Sequence, residues 1–179
     1  MELTVLRGEE KTKYTVNEGT YRKIGAPLSG ETIDGDSLDT LSKADGERRA
    51  LIKALSILAY ADNSERRLFS KLISHGFSRE ISEATVAECV RLGYINEEGQ
   101  LNRYILKYCE ELLGPKKILA KLASRGYSPS QISRAIKALE VRGEIDFTQS
   151  RRVLLEKKLP PDASYEERRK LLFRYGYTK

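Results

Sequence analysis

The sequence predicts a mainly α-helical fold of tandem three-helix repeats that form a curved, elongated molecule, with a small β-hairpin-like element at the N-terminus. The first observation is a segment that ends a helical stretch with Gly, an aromatic residue and then Ser or Thr. This segment occurs three times, and its glycines Gly76, Gly126 and Gly176 lie 50 residues apart. A fixed period of this size is typical of repeat architectures.

The second observation is that other positions keep the same interval. These positions pair Val86 with Ile136, Cys89 with Leu139 and Gly93 with Gly143. Gly suits the left-handed conformation just after a helix C-terminus, and a Ser that follows it can cap the next helix. Each repeat is therefore predicted to contain three helices separated by two glycine breaks.

The N-terminal extension, residues 1–46, differs in composition from the rest of the chain. Glu2–Arg7 and Lys11–Val16 are short runs with β-branched or aromatic residues around a Gly-Glu-Glu turn, and they predict a β-hairpin. The remainder is rich in Gly, Asp and Ser, which indicates a loose connector with one short helix over Asp36–Leu41.

The three repeats follow this extension. Residues 47–99 and 100–147 form the first two, each with apolar stripes at helical spacing. Residues 148–179 form an incomplete third repeat of two helices, with no residues left for a third helix. Its second helix is predicted to begin at the capping box Ser164-x-x-Glu167.

Charge is unevenly distributed along the chain. The net charge is +6, but residues 1–100 carry 14 Lys and Arg against 17 Asp and Glu, while residues 101–179 carry 18 against 9. This asymmetry indicates that the C-terminal half contacts a polyanion or an acidic protein surface. A solvated basic surface that serves only solubility is the alternative.

Targeting signals and cysteine usage predict a cytoplasmic protein. The sequence contains no apolar run of the roughly 18 residues that a membrane helix needs, and its first residues lack the pattern of a signal peptide. Cys89 and Cys109 lie at apolar helical positions, which favours buried free thiols in a reducing compartment.

The sequence offers little for catalysis. His75 is the only histidine and lies beside a helix end, where a surface role is expected. No phosphate-binding loop and no metal-binding motif is present. The adjacent carboxylates Glu110 and Glu111 point to different sides of a helix. We therefore expect a protein that is not an enzyme and that requires no cofactor or metal.

Basic residues recur instead, mostly on the second helices. Stacked repeats would place them on related sides of one surface, which could follow a charged partner through many contacts. The candidate binding residues are Arg66, Arg67, Lys71, Lys116, Lys117, Lys121, Arg125, Arg134, Lys137, Arg151 and Arg152.

In the order and spacing of several short motifs, residues 47–178 resemble the RecX family of bacterial recombination regulators. The resemblance rests on Lys-Leu-x-Ser-His/Arg-Gly-aromatic-Ser at the end of the second helices, on Leu92–Ile95, and on Gly114–Ile118 after Tyr104. The family typically has a Gly-Tyr-aliphatic-Asp-Asp segment, whereas this chain has Asn and Glu at the two acidic positions.

The resemblance implies a non-enzymatic cytoplasmic protein that binds the RecA recombinase. Members lodge in the groove of RecA–single-stranded DNA filaments and modulate, usually inhibit, ATP hydrolysis, strand exchange and coprotease activity in DNA repair and the SOS response. We expect a monomer with weak, non-specific binding to bare DNA. One alternative is an autonomous helix-turn-helix-like DNA-binding protein, since short Gly-containing turns join the second and third helices. Another is a helical scaffold unrelated to recombination.

Overall fold

The computed structural model describes residues 1–177 and confirms a mainly helical fold with a small antiparallel sheet. Its elements are β1 (Glu2–Arg7), β2 (Glu10–Thr15), α1 (Glu18–Lys23), α2 (Gly35–Tyr60), α3 (Glu65–Ser74), α4 (Arg79–Arg91), α5 (Glu97–Glu110), α6 (Pro115–Ala123), α7 (Pro129–Val141), α8 (Phe147–Lys158) and α9 (Tyr165–Tyr175). Thr178, which ends the third copy of the repeated segment, lies outside the described residues.

The chain divides into two compact units. Unit 1 comprises Met1–Ala61 and Leu68–Tyr94, and unit 2 comprises Asp62–Arg67 and the chain from Ile95 onward. The first turn of α3 therefore groups with unit 2, although the rest of that helix belongs to unit 1.

The predicted N-terminal hairpin is confirmed in unit 1. β1 and β2 pair antiparallel, with Glu2 opposite Thr15 and Arg7 opposite Glu10. Gly8 in the connecting turn has a φ of 63°, a left-handed conformation that Gly adopts without steric cost. β2 also packs against α2, so that the hairpin is attached to the helical part of this unit.

The segment predicted as a loose connector differs in the structure. Two helices, α1 and α2, lie within residues 17–60, and α2 is a single helix of 26 residues that crosses the predicted boundary at residue 46. The prediction of a short helix followed by a separate one was therefore wrong.

Packing explains why α2 continues through Asp45 and Gly46. The buried Asp45 carboxylate accepts a hydrogen bond of 3.0 Å from the Thr15 amide and forms an ion pair with Arg49 at 2.9 Å. A Cβ atom at Gly46 would lie only 2.8 Å from Cδ1 of Ile81 on α4. These two residues thus bring β2 and α4 close to α2, and neither ends the helix.

Unit 2 contains two apolar clusters. The larger one is formed by α5, α6 and α7, with Ile105, Ile118, Leu122, Ile132 and Leu139 fully buried. The smaller one lies between α8 and α9 and contains Leu154, Leu171, Leu172 and Tyr177. Pro115 begins α6, as predicted, and the predicted capping boxes or caps at Ser128 and Ser164 are present.

A close contact joins the end of α6 to the beginning of α3. These are the second helices of the first two predicted repeats. Gly126, which follows α6, has a φ of 94°. The neighbouring Arg125 carbonyl accepts a hydrogen bond of 3.0 Å from the hydroxyl of Ser64, just before α3. A Cβ atom on Gly126 would lie 2.5 Å from the Ser64 oxygen, so no larger residue fits here without displacement.

The same contact occurs a second time between α9 and α6. The Gly114 amide donates to the Tyr175 carbonyl at 2.8 Å, and the Lys116 amide donates to the Gly176 carbonyl at 3.2 Å. A Cβ atom on Gly176, which has a φ of 87°, would lie 2.5 Å from the amide nitrogen of Lys117. The carbonyls thereby satisfy amides in the first turn of α6 that its own helix leaves unpaired.

We call each of these contacts a repeat joint: the Gly that ends a second helix packs against the N-terminal turn of the preceding repeat's second helix. Ser64 and Gly114 are 50 residues apart, as are Gly126 and Gly176, so both joints obey the sequence period. Gly76 also has a positive φ of 85°, but nothing lies within 4 Å of its Cβ position. The two joint glycines are therefore required for close approach as well as for backbone conformation.

Replacing Gly126 by Ala should lower the free energy of unfolding by about 3 kcal/mol, because left-handed strain adds to steric overlap with Ser64. Gly143→Ala is the matched control in the same unit, since Gly143 has a φ of 71° and open space at its Cβ position. It should cost only about 1 kcal/mol. Denaturant unfolding followed by circular dichroism measures both.

A double-mutant cycle then tests the identity of the contact. Combining Ser64→Ala with Gly126→Ala removes the overlapping oxygen, so the double variant should be less destabilised than the sum of the two single changes. Strict additivity, or equal costs at Gly126 and Gly143, would contradict the joint.

Candidate functional site

Two of the candidate basic residues lie over tyrosine rings in unit 2. The Lys121 ammonium is 4.7 Å from the centroid of the Tyr108 ring, and the Arg125 guanidinium is 4.5 Å from that of Tyr104. Arg125 Nη1 also donates to the Tyr104 hydroxyl at 3.2 Å. Residues four apart are neighbours on a helix, and both the two tyrosines and the two cations have this spacing. These cations are held against aromatic faces.

Lys116 and Lys117 are exposed in the first turn of α6. The Lys117 ammonium donates to the Arg174 carbonyl at 3.0 Å, near the second repeat joint. Lys116 has no ion-pair partner within residues 1–177. Of this adjacent pair, Lys116 therefore offers the more available positive charge.

Arg134 and Lys137 lie on the outward face of α7. Both are exposed and three positions apart, whereas Ile132, Ile136 and Leu139 bury the opposite face in the unit 2 core. Neither cation forms an ion pair with any described residue. This helix thus presents two unpaired positive charges side by side.

The remaining candidates lie on α8 and α3. Arg151 is exposed and has no ion-pair partner in the described part of the chain, while Arg152 pairs with Glu156 at 2.8 Å. Arg66 and Arg67 are exposed in the turn of α3 that groups with unit 2. Lys71 is half-buried and belongs to unit 1. Ten of the eleven candidates therefore belong to unit 2.

Glu97 is the centre of a polar network. It occupies a sequence position at which the RecX family typically has an aspartate. The Glu97 carboxylate accepts from the Glu65 amide at 2.9 Å and from Gln131 Nε2 at 2.7 Å. Burial and the nearby Glu97 charge raise the pKa of the Glu65 carboxyl. The longer Glu side chain here connects the first turns of α3, α5 and α7, a structural role.

A second buried polar contact supports the same unit. The Tyr127 hydroxyl donates to Gln100 Oε1 at 2.6 Å, and both side chains are buried. Burial raises the pKa of the Tyr127 hydroxyl above its usual range. Tyr127 directly follows the joint glycine Gly126, so this bond fixes the chain where it leaves α6.

Groups with catalytic chemistry are dispersed in the structure. A cavity of about 520 Å³ in unit 1 is lined mainly by α2 and α4 residues, including Glu47, Arg48 and Glu88. His75 is exposed just beyond α3. Cys89 and Cys109 are free, and burial raises the pKa of the Cys109 thiol to about 11. In residues 1–177, no cluster of three His, Cys, Asp or Glu residues is arranged to hold a metal ion.

Within the described residues, none of the helices is both long enough and apolar enough to span a lipid bilayer.

The sequence prediction missed Tyr104 and Tyr108 as partners of the basic residues. Tyr104 was considered as part of the family motif, and Tyr108 was not singled out as a binding residue. The parallel spacing of two tyrosines on α5 and two cations at and after α6 was the available signal. Recognising it required knowing that α5 and α6 pack together, which follows from the fold.

A comparison with solved structures identifies proteins of the same fold. The crystal structure of a regulatory protein RecX superposes with a TM-score of 0.73 at 18% sequence identity, covering 99% of this chain and 90% of that chain. No family model matches the chain. The chain thus shares its helical fold with that protein.

Sequence comparison finds relatives that share the name regulatory protein RecX. A regulatory protein RecX from Lactobacillus gasseri is 25% identical over 122 residues, which are 66% of this chain and 44% of the relative. One from Legionella pneumophila (strain Corby) is 31% identical over 88 residues, which are 49% of this chain and 59% of the relative. Over part of its length, the chain is therefore similar to the RecX family of regulatory proteins. It spans about half the length of these relatives.

Removing the cations that contact tyrosine rings should lower the stability of the protein more than removing cations that are exposed and unpaired. Lys121→Ala combined with Arg125→Ala removes both cation–ring contacts and should lower the free energy of unfolding by about 1–2 kcal/mol. Arg134→Ala combined with Lys137→Ala also removes one Lys and one Arg, but from exposed, unpaired positions, and should change it by at most about 0.5 kcal/mol. Thermal or urea unfolding compares them; equal effects would show that the tyrosine contacts contribute nothing.

Proposed function

We propose that this protein binds the RecA recombinase and its filaments on single-stranded DNA, and that it inhibits the recombinase, ATPase and coprotease activities without catalysing a reaction itself. The similarity to regulatory proteins named RecX supports this proposal. The resemblance described from the sequence motifs implies the same partner. We also propose that the protein acts in the cytoplasm as a monomer.

The observation that carries the proposal is the set of unpaired, exposed cations in unit 2. Lys116, Arg134, Lys137 and Arg151 are exposed, and none has an ion-pair partner among residues 1–177. Cations of this kind can neutralise phosphates and release counterions from a nucleic acid strand, or pair with carboxylates of a protein. Lys121 and Arg125 contribute mainly by supporting α6 against α5.

The repeat organisation remains part of this proposal. We assign residues 47–99 and 100–147 to three-helix repeats and residues 148–179 to a two-helix repeat, preceded by the extension 1–46. The recurrence of the repeat joint with the sequence period supports this assignment.

A second candidate function is autonomous duplex DNA binding. α6 and α7 are joined by a short turn that contains Gly126, which resembles the geometry of a helix-turn-helix unit. Ser130, Ser133 and Arg134 are exposed on the N-terminal part of α7, where a recognition helix would contact DNA, and the exposed Lys137 lies one turn further along. Tight, sequence-specific binding to duplex DNA in the absence of RecA would favour this candidate.

The test is a titration of this protein into RecA on circular single-stranded DNA, with ATP hydrolysis as the readout. The wild-type chain should inhibit hydrolysis in proportion to its concentration. Arg134→Glu combined with Lys137→Glu should weaken inhibition at least about tenfold, because repulsion replaces two attractive contacts. An unchanged hydrolysis rate, with no binding of the protein to the filament, would refute the proposed function.

The control variant combines Arg79→Glu with Arg91→Glu on α4. These arginines are also exposed, but they are paired with Glu83 at 2.8 Å and Glu88 at 2.6 Å. The net charge change equals that of the α7 variant, so a general electrostatic effect would appear in both. Equal loss of inhibition would remove α7 from the binding surface.

A further inference from the structure

α9 exposes aromatic side chains on a strongly charged helix. Tyr165 is 70% exposed and Phe173 is 81% exposed, and Arg169 lies midway between them at four-residue spacing. The buried side of the same helix is formed by Leu171 and Leu172. Four-residue spacing puts the two rings and the guanidinium on adjacent positions along one side of the helix.

Positive charge surrounds the exposed phenylalanine. Arg169, Lys170 and Arg174 are all exposed. Two acidic residues lie near them: Glu166 is 3.8 Å from Arg169, and hydrogen bonds from Ser164, helped by the charge of Lys170, lower the pKa of Glu167. Arg168, in contrast, donates to the carbonyls of Pro161 at 2.7 Å and Ala163 at 3.0 Å. Arg168 therefore fixes the loop before α9, while the other three cations point to solvent.

The repeat period shows that this surface is particular to α9. Arg169 corresponds to Phe69 and Leu119, which are half-buried apolar residues in α3 and α6. Phe173 corresponds to Ile73 and Ala123. A cation has thus replaced an apolar packing position at Arg169. Phe173 has the largest side chain of its three counterparts, at a position that is exposed in all three helices.

We propose that this face of α9, formed by Tyr165, Arg169, Lys170, Phe173 and Arg174, binds single-stranded nucleic acid. Unpaired bases stack on the exposed rings, and the flanking cations neutralise adjacent phosphates. Duplex DNA does not bind here in the same way, because its bases are already stacked. The inference deepens the proposed function and rests on it for the identity of the strand, which would be the one within the RecA filament.

Tryptophan fluorescence tests base stacking directly. The sequence contains no Trp, so Phe173→Trp creates a single reporter at the centre of the face. Val141→Trp is the matched control, since Val141 on α7 is exposed to a similar extent, 79%. Titration with oligothymidylate, without RecA, should quench the reporter at position 173 by stacking and leave the one at position 141 unchanged. A duplex of the same length should quench neither.

Variants at Phe173 and its neighbours separate stacking from charge. Phe173→Leu should weaken oligothymidylate binding about tenfold at every salt concentration, while Phe173→Tyr keeps the affinity, because only a π-face stacks on a base. Arg169→Ala combined with Lys170→Ala should reduce the slope of log affinity against log salt by about 1.4, the value for two lost phosphate contacts on a single strand. Helicity by circular dichroism should be unchanged in all of them.

The opposite results would overturn the inference. One such result is that saturating oligothymidylate does not quench the Trp at position 173. Another is that it quenches the Trp residues at positions 173 and 141 equally. A third is that RecA protein alone quenches the Trp at position 173, which would make the face a protein contact. Quenching by oligothymidylate without any effect of the protein on RecA would refute the proposed function and keep this inference. Inhibition of RecA without quenching at position 173 would support the proposed function and refute this inference.

Discussion

The repeat joint is the contact on which the organisation of unit 2 depends. At each joint, a Gly with positive φ allows a helix end to approach the first turn of another helix within a distance that excludes a Cβ atom. The carbonyls at that end, or the Ser64 hydroxyl opposite it, complete hydrogen bonds at the joint. Because amides in the first turn of a helix have no partner within that helix, this pairing stabilises the start of α6 against the end of α9.

Local backbone preferences made many helix ends predictable from the sequence. Features that depend on contacts between distant residues could not be predicted. Helix ends at Gly76, Gly126 and Gly176 and caps at Ser128 and Ser164 follow from backbone preferences that act within a few residues. The continuity of α2 did not follow, because Asp45 and Gly46 have turn-forming preferences that contacts with Thr15 and Ile81 override. Those contacts join residues far apart in sequence.

The same limit applies to the candidate site. Composition identified the basic residues of the C-terminal half, but it could not separate cations that support the fold from cations that remain available. Lys121 and Arg125 cover tyrosine rings, whereas Arg134 and Lys137 are exposed and unpaired within the described residues. The exposed Phe173 among charges was likewise unremarkable in sequence, since its exposure is a property of the folded α9.

Amide hydrogen exchange at the second joint tests the central claim most directly. Amides in the first turn of a helix normally exchange quickly, because they have no partner within that helix. If the joint is formed, the Gly114 and Lys116 amides should be protected to a degree comparable with Ile118 in the same helix, since they donate to the Tyr175 and Gly176 carbonyls. Rapid exchange of both amides while Ile118 stays protected would contradict this account of how the repeats are joined.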